Sequence, residues 1–127
     1  MKRIIAFVKG NLVFLILLAA ILYGNHRFDR YLIRSGSMEP WIQEGAIVAA
    51  DPCRLPEKGE IGVYFSNGNA VVHRVIDVTE AGYQFQGDAN PEPDAGYILK
   101  KDIKGTVVFR LNAVAPVLRR IFGQLEM

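Results

Sequence analysis

The amino-acid sequence predicts a mainly β protein, in which a small antiparallel β domain follows one N-terminal transmembrane helix and precedes a short C-terminal helix. Two observations predict this fold class. Apolar residues are concentrated in the first 24 of the 127 residues, as in a helix that crosses a bilayer. After Arg34, short β-branched and aromatic runs alternate with Gly, Pro, Asn and Asp at short intervals, as in antiparallel sheets.

Length and composition limit the domain count and the classes of ligand. A chain of 127 residues allows one small domain with short appendages. The net charge is only +2 and the basic residues are scattered, so no basic stripe indicates nucleic-acid binding. The single cysteine, Cys53, excludes an intrachain disulfide and a multi-cysteine zinc site. The sequence predicts no cofactor and no metal.

Residues 1–24 form the first segment, and we expect them to be a signal anchor in the lipid bilayer. Ile4–Tyr23 contains enough residues to cross ~30 Å of hydrocarbon as a helix. A cleavable signal peptide would end in an Ala-x-Ala pattern, and no clear one precedes Asn25. A buried core helix would show a polar face, which Leu12–Tyr23 lacks. An uncleaved anchor therefore fits best.

The basic residues that flank the anchor bear on its orientation. Lys2, Arg3 and the free amino group form a tighter cluster than the arginines that follow the apolar run. Clustered basic residues favour the cytoplasmic side. We therefore expect a single-pass protein of the cell membrane with a cytoplasmic N-terminus and its remaining residues on the extracytoplasmic side.

Residues 25–112 are predicted to form the β domain. The strand candidates are short runs bounded by turn residues: Ala46–Asp51, Glu60–Ser66, Ala70–Val78, Gly82–Gln86 and Thr106–Leu111. Between the second and the third, Asn67-Gly68-Asn69 is a strong hairpin turn pattern. This arrangement predicts a sheet of five or more strands.

Residues 113–127 are predicted to form an amphipathic C-terminal helix. Apolar residues recur there at steps of three and four, with Arg119 and Arg120 opposite them. The segment is too short and too charged to span a bilayer. It could lie on the membrane surface or pack against the β domain.

The segment Ser35–Pro40, which reads Ser-Gly-Ser-Met-Glu-Pro, carries the chemistry that we consider first. Its glycine and its proline prevent a helix and favour a turn that exposes a hydroxyl beside a backbone N–H. A plain linker would use the same residue types. The large apolar side chains of Met38 and Trp41 favour a turn that docks onto the domain or onto lipid.

A serine hydroxyl needs a neighbouring base before it becomes a strong nucleophile. The chain offers two histidines. His26 directly follows the anchor, where a structural or interfacial role is the ordinary expectation. His73 lies within the predicted strand Ala70–Val78, and a strand histidine taken alone is more often structural than catalytic.

The segment Ser35–Pro40 resembles the nucleophile box of the type I signal peptidases, and three further segments match that family in the same order. Lys58–Phe65 resembles its Gly-Asp-Ile/Val strand, Val72–Val75 resembles the strand that bears the base, and Gly87–Asp94 resembles its Gly-Asp-Asn box. His73 stands at the position of the base, where members of the endoplasmic-reticulum-type branch have a histidine. In this respect the sequence resembles that branch, which archaea and some Gram-positive bacteria share.

The resemblance implies a role for each residue of the site. Ser37 would be the nucleophile and His73 the general base. Asp94 would orient His73, while Asp88 matches the first aspartate of the box and is the second candidate for that position or for a supporting role. The Ser37 backbone N–H and the Ser35 hydroxyl would hold the oxyanion.

The resemblance also implies the activity and the partners. The expected function is that of a membrane-bound serine endopeptidase that removes signal peptides from secretory pre-proteins and cuts after small residues. Apolar strand residues such as Ile61, Val63 and Val72 are candidates for the substrate pockets. Accessory membrane subunits are further candidate partners.

Two alternatives belong to other classes of protein. A catalytically inactive, membrane-tethered β domain that acts as a binding or accessory subunit would not need Ser37, His73 and an aspartate together. A self-cleaving repressor peptidase would need a lysine base and a DNA-binding domain, and the sequence has His73 at the base position and no room for a helix-turn-helix.

Overall fold

The computed structural model describes residues 1–112 together with Val117, Arg120 and Ile121. Within residues 1–112 the chain forms two helices, six strands and one 3-10 turn, so the prediction of a mainly β, antiparallel fold is confirmed. The elements are α1 Lys2–Gly10, α2 Leu12–Arg27, β1 Asp29–Leu32, β2 Ile47–Asp51, β3 Ile61–Ser66, β4 Asn69–Thr79, β5 Gly82–Gln86, the 3-10 turn Lys100–Asp102, and β6 Ile103–Leu111.

The six strands form one sheet in the order β1-β2-β6-β3-β4-β5, and every neighbouring pair is antiparallel. All five predicted strands are present, although β6 begins at Ile103 rather than at Thr106. The first strand, β1, was not predicted, because Asp29-Arg30-Tyr31-Leu32 is short and half charged. It exists because it pairs along β2, from Asp29 opposite Ala50 to Leu32 opposite Ile47.

A two-residue turn joins β3 to β4, as the sequence pattern predicts. Asn67 and Gly68 have φ angles of 52° and 79°, which is the left-handed conformation that a type I′ hairpin turn requires. The turn sets the register of the hairpin, in which Ser66 lies opposite Asn69 and Gly62 lies opposite His73. The position of His73 therefore depends on this turn.

The core consists of two apolar clusters. In one cluster, side chains of the β1–β2 connection pack against the sheet. It contains Ile33, Met38, Ile42, Ala46, Val48 and Ile61. The other lies under β3, β4 and β5 and contains Tyr64, Val75, Tyr83, Phe85 and Ile103. Since Met38 is only 1% exposed, the residue after Ser37 belongs to the core, and burial of a side chain of this size contributes about 1.5–3 kcal/mol.

The N-terminal segment differs from the single straight helix expected over Ile4–Tyr23. It is divided at Asn11 into α1 and α2, whose axes differ by 62°. The Asn11 side chain donates a hydrogen bond to the Phe7 carbonyl oxygen over 2.8 Å, and such side-chain bonds compete with the helical ladder. Within the described part of the chain neither helix alone is long and apolar enough to cross a membrane, whereas the bent pair passes that test by length and composition.

The end of α2 is tied to the sheet by an ion pair. The two Arg27 guanidinium nitrogens lie 2.6 Å and 3.0 Å from the two carboxylate oxygens of Asp51 at the end of β2. The hydrogen bonds from Arg27 hold the pKa of Asp51 below its usual range. Because the pKa is lowered on folding, this contact stabilises the fold at neutral pH and is lost as the pH falls through the lowered value.

The predicted C-terminal helix over residues 113–127 lies largely outside the described residues. The three described positions of this segment, Val117, Arg120 and Ile121, are helical and exposed.

The hairpin turn gives a test of the register. Replacing Gly68 by Ala places a Cβ on a left-handed residue and should lower the free energy of unfolding by about 1 kcal/mol. Chemical denaturation followed by the fluorescence of Trp41 measures this change. The matched control Asn67→Gly should stay within about 0.5 kcal/mol of the unmodified protein, because glycine adopts the same φ freely. An equal loss in both variants would contradict the turn assignment.

Candidate active site

Ser37 lies in a turn between β1 and β2 that is fixed from both sides. The Glu39 N–H donates to the Gly36 carbonyl over 3.1 Å, and the Ile42 N–H donates to the Met38 carbonyl over 2.9 Å. Both Met38 and Ile42 are buried. The side chain of Ser37, which is partly exposed, therefore stands on a backbone that the core holds in place.

A second set of contacts ties this turn to the end of β6. The Arg110 guanidinium donates to the Trp41 carbonyl over 2.6 Å and stacks 3.7 Å from the centre of the Trp41 ring. The Asn112 side chain donates to the same carbonyl over 3.1 Å and accepts from the Gln43 N–H over 3.1 Å. The expected docking of the turn thus uses the buried side chain of Met38 and the backbone of Trp41, whose own side chain is half exposed.

His73, on β4, connects Ser37 to Asp94. Its Nε2 lies 3.0 Å from Ser37 Oγ, and its Nδ1 lies 2.5 Å from Asp94 Oδ2. A carboxylate only accepts hydrogen bonds, so Nδ1–H donates to Asp94, and in the neutral imidazole Nε2 then accepts from the serine hydroxyl. This is the tautomer that a general base requires. The Asp94 N–H donates to the Phe85 carbonyl over 2.8 Å, which fastens the aspartate to β5.

Tyr64, which no sequence pattern predicted as a site residue, completes this hydrogen-bonded set. Its hydroxyl donates to Asp94 Oδ2 over 2.5 Å, the same oxygen that His73 contacts. Burial, followed by the bond to Asp94, raises the pKa of Tyr64 well above its usual range, so the phenol remains a donor at neutral pH. The hairpin register could have revealed it: Gly62 lies opposite His73, and a residue two further along β3 shares that face.

Asp88 lies apart from this set, so the structure does not support its placement among the residues that contact His73. Its carboxylate accepts hydrogen bonds from Arg74 over 2.9 Å and 2.8 Å, and Arg74 also donates to the Gly59 carbonyl over 2.7 Å. Successive side chains on a strand point to opposite faces. A partner of Arg74 is therefore turned away from the neighbouring His73.

The backbone beside Asp88 nevertheless supports the nucleophile turn. The Ala89 N–H donates to the Ser37 carbonyl over 2.9 Å, and the Asp88 N–H points at the Met38 sulfur over 3.4 Å. Gly87 makes this approach feasible, since a Cβ on that residue would lie 2.6 Å from the Ser37 carbonyl oxygen. Gly87 is thus needed because a larger residue would clash with the backbone of Ser37.

Ser35 lies close to the nucleophile, as expected of an oxyanion donor. Its hydroxyl oxygen is 3.2 Å from Ser37 Oγ, and its side chain is exposed. A hydroxyl at this position can reach an oxygen that develops on a carbonyl attacked by Ser37.

A groove of about 620 Å³ opens beside Ser37 and His73. One wall is formed by residues 31–35 and the other by residues 69–73. Of the residues proposed for the substrate pockets, Val72 lines this groove. Ile61 and Val63 do not, because both are buried in the interior of the protein.

Among the residues that the structure describes, both walls of the groove have backbone that no other strand pairs with. β1 is an edge strand whose partner among these residues is β2. The pairing of β4 with β5 begins at Arg74, so residues 69–73 pair on one side only, with β3. An extended peptide in the groove could hydrogen-bond to either edge.

The arrangement matches the requirements of acyl transfer through a serine. It provides a nucleophile, a base in the correct tautomer, an aspartate that orients the base, and a hydroxyl near the oxyanion position. Among the described residues no group of three or more His, Cys, Asp or Glu side chains could hold a metal ion. No protein-family model matches the chain, and no curated protein matches it.

The first prediction from this geometry concerns Tyr64. In Tyr64→Phe the carboxylate of Asp94 loses one buried donor, which for a charged acceptor is worth about 1.5–3 kcal/mol. We expect kcat for peptide-bond hydrolysis to fall about tenfold or more while KM stays within about twofold, because Tyr64 acts through Asp94 and His73. The control Tyr83→Phe alters another buried tyrosine and should leave kcat unchanged. Equal kinetics in the two variants would count against this role.

The second prediction concerns Gly87. In Gly87→Ala the new Cβ meets backbone of the nucleophile turn, which cannot rotate away. We expect a loss of about 1–3 kcal/mol in the free energy of unfolding together with reduced kcat, since Ser37 must shift. Gly24→Ala is the control, because a Cβ there meets nothing within 4 Å. Full stability and activity in Gly87→Ala would show that the close approach is absent.

Proposed function

We propose that this protein is a membrane-bound serine endopeptidase that removes signal peptides from secretory pre-proteins. Among such enzymes we assign it to the type I signal peptidases of the endoplasmic-reticulum type. The observation that carries the proposal is the hydrogen-bonded series from Ser37 through His73 to Asp94, located at a groove with unpaired strand edges. The match of four sequence segments to that family supports the same assignment.

The groove supports a substrate that binds in extended conformation. A peptide between residues 31–35 and residues 69–73 would add a strand to the sheet and would satisfy backbone groups on both walls. Main-chain hydrogen bonds give affinity without requiring a particular sequence, which suits an enzyme that accepts many pre-proteins. Side chains on alternate residues of the peptide would face into the groove, where Val72 lies on one wall.

The chemical steps follow from the geometry. His73 Nε2 takes the proton of the Ser37 hydroxyl as Ser37 Oγ attacks the scissile carbonyl carbon, and the Ser37 N–H and the Ser35 hydroxyl hold the oxyanion. His73 then gives the proton to the leaving amine, and the acyl-enzyme is formed. A water molecule, activated by His73, releases the signal peptide and restores Ser37. Asp94 stabilises the positive charge on His73 in both halves, while Tyr64 holds Asp94.

A membrane location would explain why the site follows so closely after α2. Residues 28–36 are all that separate α2 from Ser37, so an anchored α2 would hold the nucleophile close to the bilayer surface. We propose a cytoplasmic N-terminus and an extracytoplasmic catalytic domain. A substrate whose apolar segment lies in the same membrane would meet the site at a raised effective concentration, with accessory membrane subunits as further partners.

The decisive experiment is cleavage of a pre-protein by the purified full-length chain in detergent. Ser37→Ala and His73→Ala should each lower the rate by about 10⁴-fold or more, as for other serine-histidine sites. Ser66→Ala, an exposed serine at the end of β3, is the matched control and should retain full activity. The product should begin at the residue after the signal peptide, as judged by mass spectrometry.

Several results would contradict the proposal. Undiminished cleavage by Ser37→Ala would remove the proposed nucleophile, and loss of activity with a metal chelator would indicate different chemistry. If the unmodified chain binds a signal peptide but cleaves none, the inactive binding domain becomes the better assignment.

A further inference from the structure

The groove beside Ser37 carries a fixed charge that the proposed chemical steps do not use. Its walls are residues 31–35 and 69–73. Apart from the base His73, the side chains of these wall residues are neutral except for that of Arg34, and none of them is acidic. A guanidinium stays protonated throughout the physiological pH range. Arg34 therefore gives the groove a permanent positive charge.

Among the described residues of the β domain, Arg34 is the arginine whose side chain has no partner. The other arginines between Asn25 and Asn112 each bind a side chain or a carbonyl oxygen: Arg27, Arg30, Arg54, Arg74 and Arg110. Within the same part of the chain, the Arg34 guanidinium makes neither a hydrogen bond nor an ion pair, and the residue is exposed. Its N–H donors are thus available to a molecule that enters the groove.

Arg34 lies on the side of its extended segment that faces water. The preceding residue, Ile33, is buried, and its N–H donates to the Ala46 carbonyl over 2.9 Å while its carbonyl accepts from the Gly45 N–H over 2.7 Å. Because side chains alternate along an extended chain, Arg34 points away from the core that contains Ile33. A peptide that adds to this edge has the same alternation, so every second side chain of the peptide would lie on the side of Arg34.

We propose that Arg34 binds an acidic side chain of the peptide substrate, at a residue that precedes the scissile bond. The inference rests on the proposed function, which supplies the peptide and its direction. The apolar segment of a signal peptide precedes the cut and lies in the membrane that α2 enters. β1 leads from the end of α2 towards Ser37, so the part of the substrate between the membrane and the cut runs along the wall that carries Arg34.

The chemistry of the guanidinium determines which substrates gain. Its planar fork can donate two parallel hydrogen bonds to a carboxylate, whereas a lysine or arginine of the substrate at the same place is repelled. Backbone hydrogen bonds along the groove hold peptides of any sequence, so Arg34 would rank otherwise similar substrates by charge. Since the pair is open to solvent, the discrimination is several-fold rather than many orders of magnitude.

The test measures kcat/KM of the full-length chain in detergent for a series of peptides that share one signal-peptide cleavage sequence. Along the residues before the cut, one position at a time carries Glu, Gln or Lys. The series is cleaved by the unmodified protein and by Arg34→Gln and Arg34→Glu. Arg30→Glu is the matched control, because Arg30 lies on the same strand, is exposed, and is not a wall residue of the groove.

The expected result is that the unmodified protein prefers Glu to Lys by about fivefold in kcat/KM, at alternate positions of the peptide. The ratio should fall to about one in Arg34→Gln and should invert in Arg34→Glu, while Arg30→Glu keeps the ratio of the unmodified protein. Because each ratio is taken within one variant, a general loss of folded enzyme cancels. In about 0.5 M NaCl the preference should shrink, since salt screens exposed charges.

Two results would overturn the role of Arg34 and leave the endopeptidase standing. One is an equal rate for the Glu and Lys peptides at every position. The other is an equal change of the ratio in Arg34→Glu and Arg30→Glu, which would indicate the general field of the domain. If the unmodified protein cleaves none of the peptides, the proposed function fails. The affinities of the same peptides, measured by fluorescence anisotropy, then decide whether Arg34 discriminates between charges: a Glu preference that Arg34→Glu inverts supports the contact, and equal affinities overturn it.

Discussion

The antiparallel pairing of β3 with β4 is the constraint on which the site depends. The turn at Asn67 and Gly68 sets its register, and that register brings His73 and Tyr64 to one face of the sheet. A slip by one residue in this pairing would place His73 and Tyr64 on opposite faces of the sheet. Asp94 can then serve both with a single oxygen, because it is itself held to β5 through its backbone.

The proposed nucleophile is positioned by packing rather than by regular secondary structure. Ser37 belongs to a turn, yet the residue after it is buried, its carbonyl is bonded to Ala89, and Gly87 lies in close contact. These contacts come from segments 50 residues apart in the chain. The result is a partly exposed hydroxyl on a backbone that has little freedom, which is the preorganisation that acyl transfer would require.

Local patterns predicted most of the fold, and long-range contacts account for what they missed. The β-branched runs and the Asn-Gly turn predicted five strands, whereas β1 has little strand propensity and forms through its pairing with β2. The break of the helix at Asn11 was not predicted. The apolar residues on both sides of Gly10 and Asn11 favour one continuous helix, although these two residues are weak helix formers. Ser37, His73 and Asp94 lie together, as expected. The contact of Tyr64 with Asp94 could not be predicted without the β3–β4 register, and the ion pair of Asp88 with Arg74 could not be predicted without knowing which face of the sheet each side chain occupies.

The contacts of Trp41 have a mechanical consequence. Arg110 and Asn112, at the end of β6, both hold the carbonyl of Trp41, four residues after Ser37. A shift at the end of β6 is therefore transmitted to the loop that carries Ser37 through these side chains as well as through the pairing of β6 with β2. The contact of Arg110 with Trp41 thus couples the position of Ser37 to that of β6.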